Sequence, residues 1–343
     1  MISPSPSPSE VTMGSVELSV VIPVYRSEAT LRPLLKRLLP ALEAVAQNSE
    51  VILVDDGSPD RAWDVILDLR REHPGKIVAV QLMRNFGQHN ALMCGFHHAR
   101  GRLIVTMDDD LQHPPESIAT LLAALRDRDL DLVYGIYEEK MHHPGRVVGS
   151  WLVNRFFRLI FQTSVTVTSF RAIRRELVRS TLSYNLNFTY VDGLLAWNTQ
   201  RAGEVTVPHH SRESGRSSYS FWKLATLALN LFTNFSLLPL QIVSVCGSLA
   251  AGVGLILGTY YFMESLRSNI TVPGYASIIV AVLVLGGIQL MSLGIMGEYL
   301  GRLHLNVNRK PQFVERQVFA PGPNVDRASP AVALLPALPG EGP

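Results

Sequence analysis

The chain has 343 residues, 47% hydrophobic and 17% charged, with a formal net charge of +2. Near-neutral charge argues against a dedicated nucleic-acid binder, which carries a clear basic excess. Its two cysteines, Cys94 and Cys246, stand far apart and give neither a disulfide framework nor a zinc quartet, so a reducing compartment is the default.

The N-terminal "MISPSPSPSE" lacks the basic and apolar regions of a signal peptide. Its Ser-Pro repetition reads as a disordered leader over 1–16, with Met13 as an alternative start. From Leu18 to about Tyr134, the short apolar runs "LSVVIPV", "EVILVDD", "IVAVQL", "RLIVTMDDD" and "DLVYG" are separated by helical stretches such as "EATLRPLLKRLLPALEAVA" and "PDRAWDVILDLRREH". That alternation predicts βαβ units and a mostly parallel sheet, in a domain spanning 17–218. Ligands of such sheets bind at the carboxyl ends of the strands. The acidic clusters "VDDGSPD" and "MDDDLQHPP" both end strands, and therefore share one rim. The first strand-to-helix turn, "IPVYRSE", is not glycine-rich, and no GxxxxGK[ST] occurs. Dinucleotide-oxidoreductase and P-loop readings lose their support.

Beyond Ser211 the pattern changes. In "SYSFWKLATLALNLFTNFS" the polar Lys223, Thr226, Asn230 and Thr233 form one narrow stripe on an otherwise apolar helix. This predicts an amphipathic interfacial helix over 219–236, with a core helix as the alternative. Leu237–Met263 and Tyr275–Gly297 carry no charge, and each exceeds the ~20 residues that cross a bilayer core. They read as two transmembrane helices, over 237–263 and 275–297; a buried hairpin is the alternative. The flanks are basic: Arg212, Arg216 and Lys223 before, and Arg302, Arg309, Lys310 and Arg316 after. The loop "ESLRSNITVPG" has one Arg and one Glu. The positive-inside rule then puts both flanks and the large domain in the cytoplasm. A cytoplasmic juxtamembrane segment is expected over 298–318, and a Pro-rich disordered tail over 319–343.

Three consecutive aspartates behind an apolar run call for a positive partner. In an extended segment Asp108, Asp110 and Gln112 share a side, while Asp109 and Leu111 face the other. Two carboxylates and an amide oxygen form a hard-oxygen set suited to Mg²⁺ or Mn²⁺. The alternative is an acidic turn capping the helix that begins at Pro114. Asp55 and Asp56 end the second strand, where a carboxylate could accept a hydrogen bond from a nucleobase or ribose; "DDGSPD" is equally a turn and N-cap sequence. The pairs His97/His98, His142/His143 and His209/His210 lack the i, i+4 spacing of a helical zinc site and read as structural or surface residues. No GxSxG turn supports acyl transfer.

The ordered pieces "VVIPVYRSE", "ILVDDGSPD", "RNFGQHNALMCGF", "MDDDLQHPPE", "FRAIRRELV", "SYSFWKL" and "GIMGEYLGRLHLNVNRKPQFV" span about residues 18–318. Together they resemble the family-2 glycosyltransferases with a GT-A fold. More narrowly, they resemble bacterial polyisoprenyl-phosphate glycosyltransferases, including undecaprenyl-phosphate glucosyl- and 4-deoxy-4-formamido-L-arabinose transferases, with dolichol-phosphate mannose synthase a relative. The resemblance implies an α/β, Rossmann-like catalytic domain followed by the interfacial and transmembrane helices, at the bacterial inner membrane. It implies a nucleotide-sugar donor (a UDP-sugar), a polyisoprenyl phosphate acceptor, and inversion at the sugar. A homo-oligomer stays open. Pro23, Tyr25, Val54 and Asp56 would cradle the nucleoside. Asp108 and Asp110, with Gln112, would hold Mg²⁺ or Mn²⁺ on the diphosphate, and Asp109 would face away or touch the donor. Arg212 would face the diphosphate. Ser218 stands where relatives often have lysine, so Arg216 would supply that charge. Ser27 replaces a frequent acid, and Ser169 replaces an aspartate frequent in glucosyltransferase-like members. A processive polysaccharide synthase would carry Gln-x-x-Arg-Trp, which is absent here; a non-catalytic nucleotide-sugar-binding scaffold would be expected to lose the metal ligands, which are present.

Overall fold

The computed structural model describes residues 16–137, 165–184, 189–208, 238–266, 275–308, 311–320 and 326–327. Strands β1 (Leu18–Val24), β2 (Ser49–Asp55), β3 (Ile77–Leu82) and β4 (Leu103–Thr106) alternate with helices α1 (Leu31–Val45), α2 (Ala62–Glu72) and α3 (Gln88–His98). A short 3₁₀ turn at Pro115–Ser117 leads into α4 (Ile118–Asp127). Then come β5 (Leu132–Tyr137), β6 (Arg171–Arg174), α5 (Arg175–Leu182), α6 (Val191–Asn198) and β7 (Ala202–Val207). The long helices α7 (Leu238–Leu266) and α8 (Tyr275–Val307) precede β8 (Glu315–Phe319) and the two-residue β9 (Asp326–Arg327).

The strands form one sheet in the order β7-β5-β6-β4-β1-β2-β3-β8-β9. Pairs β4–β1, β1–β2, β2–β3 and β5–β7 are parallel, whereas β6, β8 and β9 enter antiparallel. Every residue of β1 is buried, as a strand covered on both faces requires. Helix α1 buries Leu31, Leu34, Leu35, Leu38, Leu39 and Leu42, the stripe that a 3.6-residue period lays along one face. At the amino-terminal end of the parallel strands, the buried Glu50 carboxylate accepts hydrogen bonds from Ser19 Oγ (2.7 Å), Arg100 N (2.8 Å) and Arg100 Nη2 (2.6 Å). A buried charge is tolerable because each oxygen finds donors. A side chain at Gly101 would meet Ser19 N at 2.5 Å. With that end pinned, β1, β2, β3 and β4 deliver their carboxyl ends to the opposite rim.

Two compact units divide the chain: 1–217 with 311–343, and 218–310. Within the expected juxtamembrane segment 298–318, α8 continues past Gly297 to Val307, and Glu315–Phe319 then joins the first unit by pairing with the open edge of β3. An unpaired edge exposes a row of backbone donors and acceptors, and β8 covers it. Phe319, at the head of the expected tail, lies 6.2 Å from the Trp63 ring, with the Arg70 guanidinium 5.1 Å from its centroid. In the second unit, α7 has 29 residues and α8 has 33. Among the described residues no helix qualifies as long and apolar enough to cross a membrane. The interfacial segment 219–236, Arg212, Arg216, His142/His143 and His209/His210 lie outside the described residues.

Behind the sheet's rim, the buried Arg171 pairs with Asp192, whose Oδ1 also accepts the Tyr134 hydroxyl at 3.1 Å. Nearby, His89 Nδ1 accepts the Val191 N–H at 3.4 Å, and its ring meets Tyr190 edge-on at 5.0 Å. Desolvation, with the Arg171 charge adding to it, lowers the His89 pKa to about 4. A histidine held neutral in the fold but free to protonate near 6.5 when unfolded contributes stability that is present above 6.5 and lost as pH falls towards 4. His89→Asn, which keeps an acceptor but cannot titrate, is expected to flatten the pH dependence of the urea midpoint across that window, by up to ~1.4 kcal/mol per pH unit. Parallel profiles for the two proteins would contradict a neutral His89.

Candidate active site

Four turns leave the carboxyl ends of β1, β2, β3 and β4 and enclose a cleft of about 290 Å³. Pro23, Val24 and Tyr25 form one wall, Asp56 the floor, and Asn85, Gly87 and Gln88 a second wall; Asp108, Asp109 and Asp110 close it.

The turns are tied to one another by side chains reaching for backbone amides. Asp56 accepts the N–H of Phe86 (2.7 Å) on Oδ1 and of Gly87 (2.9 Å) on Oδ2. Gly57 has φ +66°, and a Cβ there would stand 2.6 Å from the Arg84 carbonyl carbon, so only glycine lets these two turns touch. Asp55, wholly buried, accepts Ser58 N–H (3.0 Å) and Gln81 Nε2 (3.3 Å). Burial pushes both carboxyls, Asp55 and Asp56, above the usual range, against these hydrogen bonds. Asp109 Oδ2 accepts the Ser27 hydroxyl and the Tyr25 N–H (3.3 Å), bracing the β1 turn. Desolvation raises its pKa to about 6.

Asp108 is held differently. Its Oδ1 accepts Gln88 Nε2 at 2.7 Å, and its Oδ2 accepts the Ser169 hydroxyl at 2.6 Å. Its backbone N–H donates to His113 Nδ1 at 3.0 Å, which leaves the imidazole proton on Nε2. The His113 ring is stacked on Phe170 at 5.1 Å and on Tyr137 at 6.0 Å. Asp110 Oδ1 accepts the Gln112 N–H at 3.1 Å in a tight local turn.

The cleft thus gathers Pro23, Tyr25, Asp56, Asp108, Asp109 and Asp110, while two residues expected at the site, Gln112 and Val54, are not part of its lining. Gln112 does not line it: β4 ends at Thr106, and Leu111 has φ +64°, so the extended alternation that would have aligned Gln112 with Asp108 is broken. Val54 is fully buried; its side chain points at α3, where a Cβ on Gly95 would meet it at 3.4 Å. Asp56 lines the cleft, yet its carboxylate serves the backbone of the neighbouring turn. Gln88, His113 and Asn85 were not singled out by sequence, and Ser169 was seen only as a departure. No spacing links residues 88, 113 and 169 to Asp108; their signal exists only once α3, the acidic turn and the segment before β6 are brought together.

Comparison with known proteins bears on this cleft directly. The profile described as Glycosyl transferase family 2 matches residues 19–182, which contain the whole lining. An undecaprenyl-phosphate 4-deoxy-4-formamido-L-arabinose transferase of Shewanella sediminis is 33% identical, over 88% of this chain and 92% of its own. Another of that name, from Enterobacter sp., is 34% identical over 89% and 94%. The chain belongs to glycosyl transferase family 2. It is a glycosyltransferase, with a Rossmann-like α/β domain built on a mostly parallel sheet. Among solved structures, glucosyl-3-phosphoglycerate synthase from Mycobacterium tuberculosis, in complex with Mn²⁺, UDP-glucose and phosphoglyceric acid, aligns with TM-score 0.46 and 19% identity over 64% of this chain and 78% of that one.

In this glycosyltransferase the Asp56 carboxylate has two backbone donors to satisfy. Asp56→Asn would turn an N–H₂ toward one of them and leave that amide unpaired, at about 1–3 kcal/mol. The expected result is a lower urea midpoint together with faster hydrogen exchange at Phe86 and Gly87. Unchanged protection of those two amides would assign Asp56 to another task.

Proposed function

We propose that this enzyme transfers a sugar from a nucleotide-sugar, a UDP-sugar, to undecaprenyl or another polyisoprenyl phosphate, with inversion, at the cytoplasmic face of the bacterial inner membrane. The product is a lipid-linked sugar for envelope glycan or lipid modification. The observation that carries this reading is the cleft with Asp108 and Asp110 at the carboxyl rim, in a chain aligned over nearly its whole length with relatives named undecaprenyl-phosphate sugar transferases.

The residues present fit Mg²⁺ or Mn²⁺. Asp108 and Asp110 offer hard carboxylate oxygens, and Gln88 and Ser169 take only one lone pair from each Asp108 oxygen. When bound, the ion neutralises charge building on the departing diphosphate. The protein's part is orientation. Gln88 and Ser169 clamp the Asp108 carboxylate from two sides, and His113 fixes its backbone, so it meets the donor without reorganising. Arg212 and Arg216, outside the described residues, are the cations we assign to the diphosphate. The acceptor phosphate is largely ionised near pH 7, its second pKa being about 6, so attack needs no strong base from the protein. Attack opposite the leaving group inverts the sugar.

The membrane assignment rests on charge and connectivity. Leu237–Met263 and Tyr275–Gly297 are free of charge. Helices α7 and α8 expose large apolar side chains along their lengths, from Ile242 and Leu249 to Leu290 and Leu300, which water would not favour. The chain leaves the catalytic unit before residue 218 and rejoins it after residue 310, so a spanning pair must enter and leave on one side. The basic flanks make that side cytoplasmic, and segment 219–236 would lie in the headgroup layer beside the acceptor.

Membranes containing the enzyme, given a panel of nucleotide-sugars and undecaprenyl phosphate, should yield one glycosylated lipid phosphate by mass spectrometry. Asp108→Ala and Asp110→Ala should each lower turnover by on the order of 10²-fold or more. A growing polysaccharide, or undiminished turnover in both variants, would refute the assignment. For topology, a cysteine at Ser268 should react with an impermeant maleimide in intact cells and one at Ser329 only after permeabilisation; the reverse pattern would invert the orientation.

A further inference from the structure

Cys94 and His98 stand four residues apart on α3, so both project from one face of the helix. Facing them is Glu315, the first residue of β8. His98 Nε2 lies 2.8 Å from Glu315 Oε1, and Cys94 Sγ lies 3.4 Å from the same oxygen. One ligand atom from each of the three falls within 4.8 Å of the others, and no other His, Cys, Asp or Glu triplet among the described residues is so arranged. None of the three lines the cleft.

We propose that Cys94, His98 and Glu315 form a second metal site, for Zn²⁺ or a similar borderline-soft divalent ion, separate from the cleft. A thiolate, an imidazole and one carboxylate form a ligand set that such ions favour over Mg²⁺ or Mn²⁺. In tetrahedral zinc, bonds of ~2.0–2.3 Å put neighbouring ligand atoms roughly 3.3–3.6 Å apart; Glu315 Oε1 stands within tenths of an ångström of that from both Cys94 Sγ (3.4 Å) and His98 Nε2 (2.8 Å), and all three ligand atoms lie within 4.8 Å of one another. Cys94 is fully buried, while the side chains of His98 and Glu315 keep 22% and 14% exposure, which leaves an entry path and room for a water as fourth ligand. Binding breaks the Cys94 S–H bond, forms a sulfur–metal bond and releases the proton to solvent. The ion would replace hydrogen bonds with coordination bonds exactly where the chain rejoins the catalytic unit. It would pin β8 to the helix whose first residue, Gln88, clamps Asp108.

The test is a Co²⁺ titration of full-length detergent-solubilised protein in the Cys246→Ser background, with Mg²⁺ in excess to occupy the cleft. Cys246, the other cysteine, is exposed. A thiolate-to-cobalt charge-transfer absorption that saturates at one equivalent, reversed by added Zn²⁺, is expected. Cys94→Ser should abolish it, and His98→Gln and Glu315→Gln should each weaken Co²⁺ binding about tenfold or more. Oxygen-only sites give no such absorption, so the cleft aspartates cannot mimic the result. Absence of the absorption in the parent protein would overturn the proposal and leave a hydrogen-bonded staple; so would its survival in Cys94→Ser, or unchanged affinity in both His98→Gln and Glu315→Gln.

Discussion

Where β2 ends, the Asp56 carboxylate grips the backbone amides of Phe86 and Gly87, and much of the site's geometry follows from that grip. It starts α3 at Gln88, directly beneath the rim. Close approach of the two turns at Gly57 makes the grip geometrically available. Because α3 begins there, the Gln88 amide reaches Asp108 and the His89 ring reaches α6. Loosening this one contact would free the wall of the cleft, the orientation of an acid and a helix–helix contact together.

The acids of the rim divide by what they bind within the protein. Asp56 and Asp109 accept donors from neighbouring turns, Asp55 accepts from its own turn and from Gln81 on β3, and burial raises the pKa of all three. They convert the turns after β1, β2 and β3 into one rigid rim. Asp108 is held by side chains instead, and Asp110 by its own turn, so both carboxylates remain directed at the cleft. Such a division lets several like charges share a small volume, since each structural carboxylate is compensated by hydrogen bonds from amides or hydroxyls.

The return of the chain after α8 gives the catalytic unit a strand from a remote part of the sequence. Glu315 and Phe319 anchor β8 at its two ends, one against α3 and the other against α2. The unit therefore contains chain from both sides of the helix pair, and α3 is fixed by β2 at its start and by β8 at its end.

Periodicity and turn chemistry were enough to read the parallel core, because β1–β4 are apolar runs whose side chains need only be buried, and the acidic turns at their ends are local sequence. The ordered motifs were enough to point to the family. Local sequence could not reveal that β4 stops at Thr106 and that Leu111 adopts a left-handed conformation, which turns Gln112 out of line with Asp108. Nor could it reveal that Gln88, Ser169 and His113 meet at Asp108, or that Cys94 and His98 face Glu315 across 221 and 217 residues of chain. Patterns of burial repeat every two or 3.6 residues and are legible in one dimension. Contacts between residues far apart in the chain depend on how the sheet orders its strands, and that order arises only when the whole domain packs.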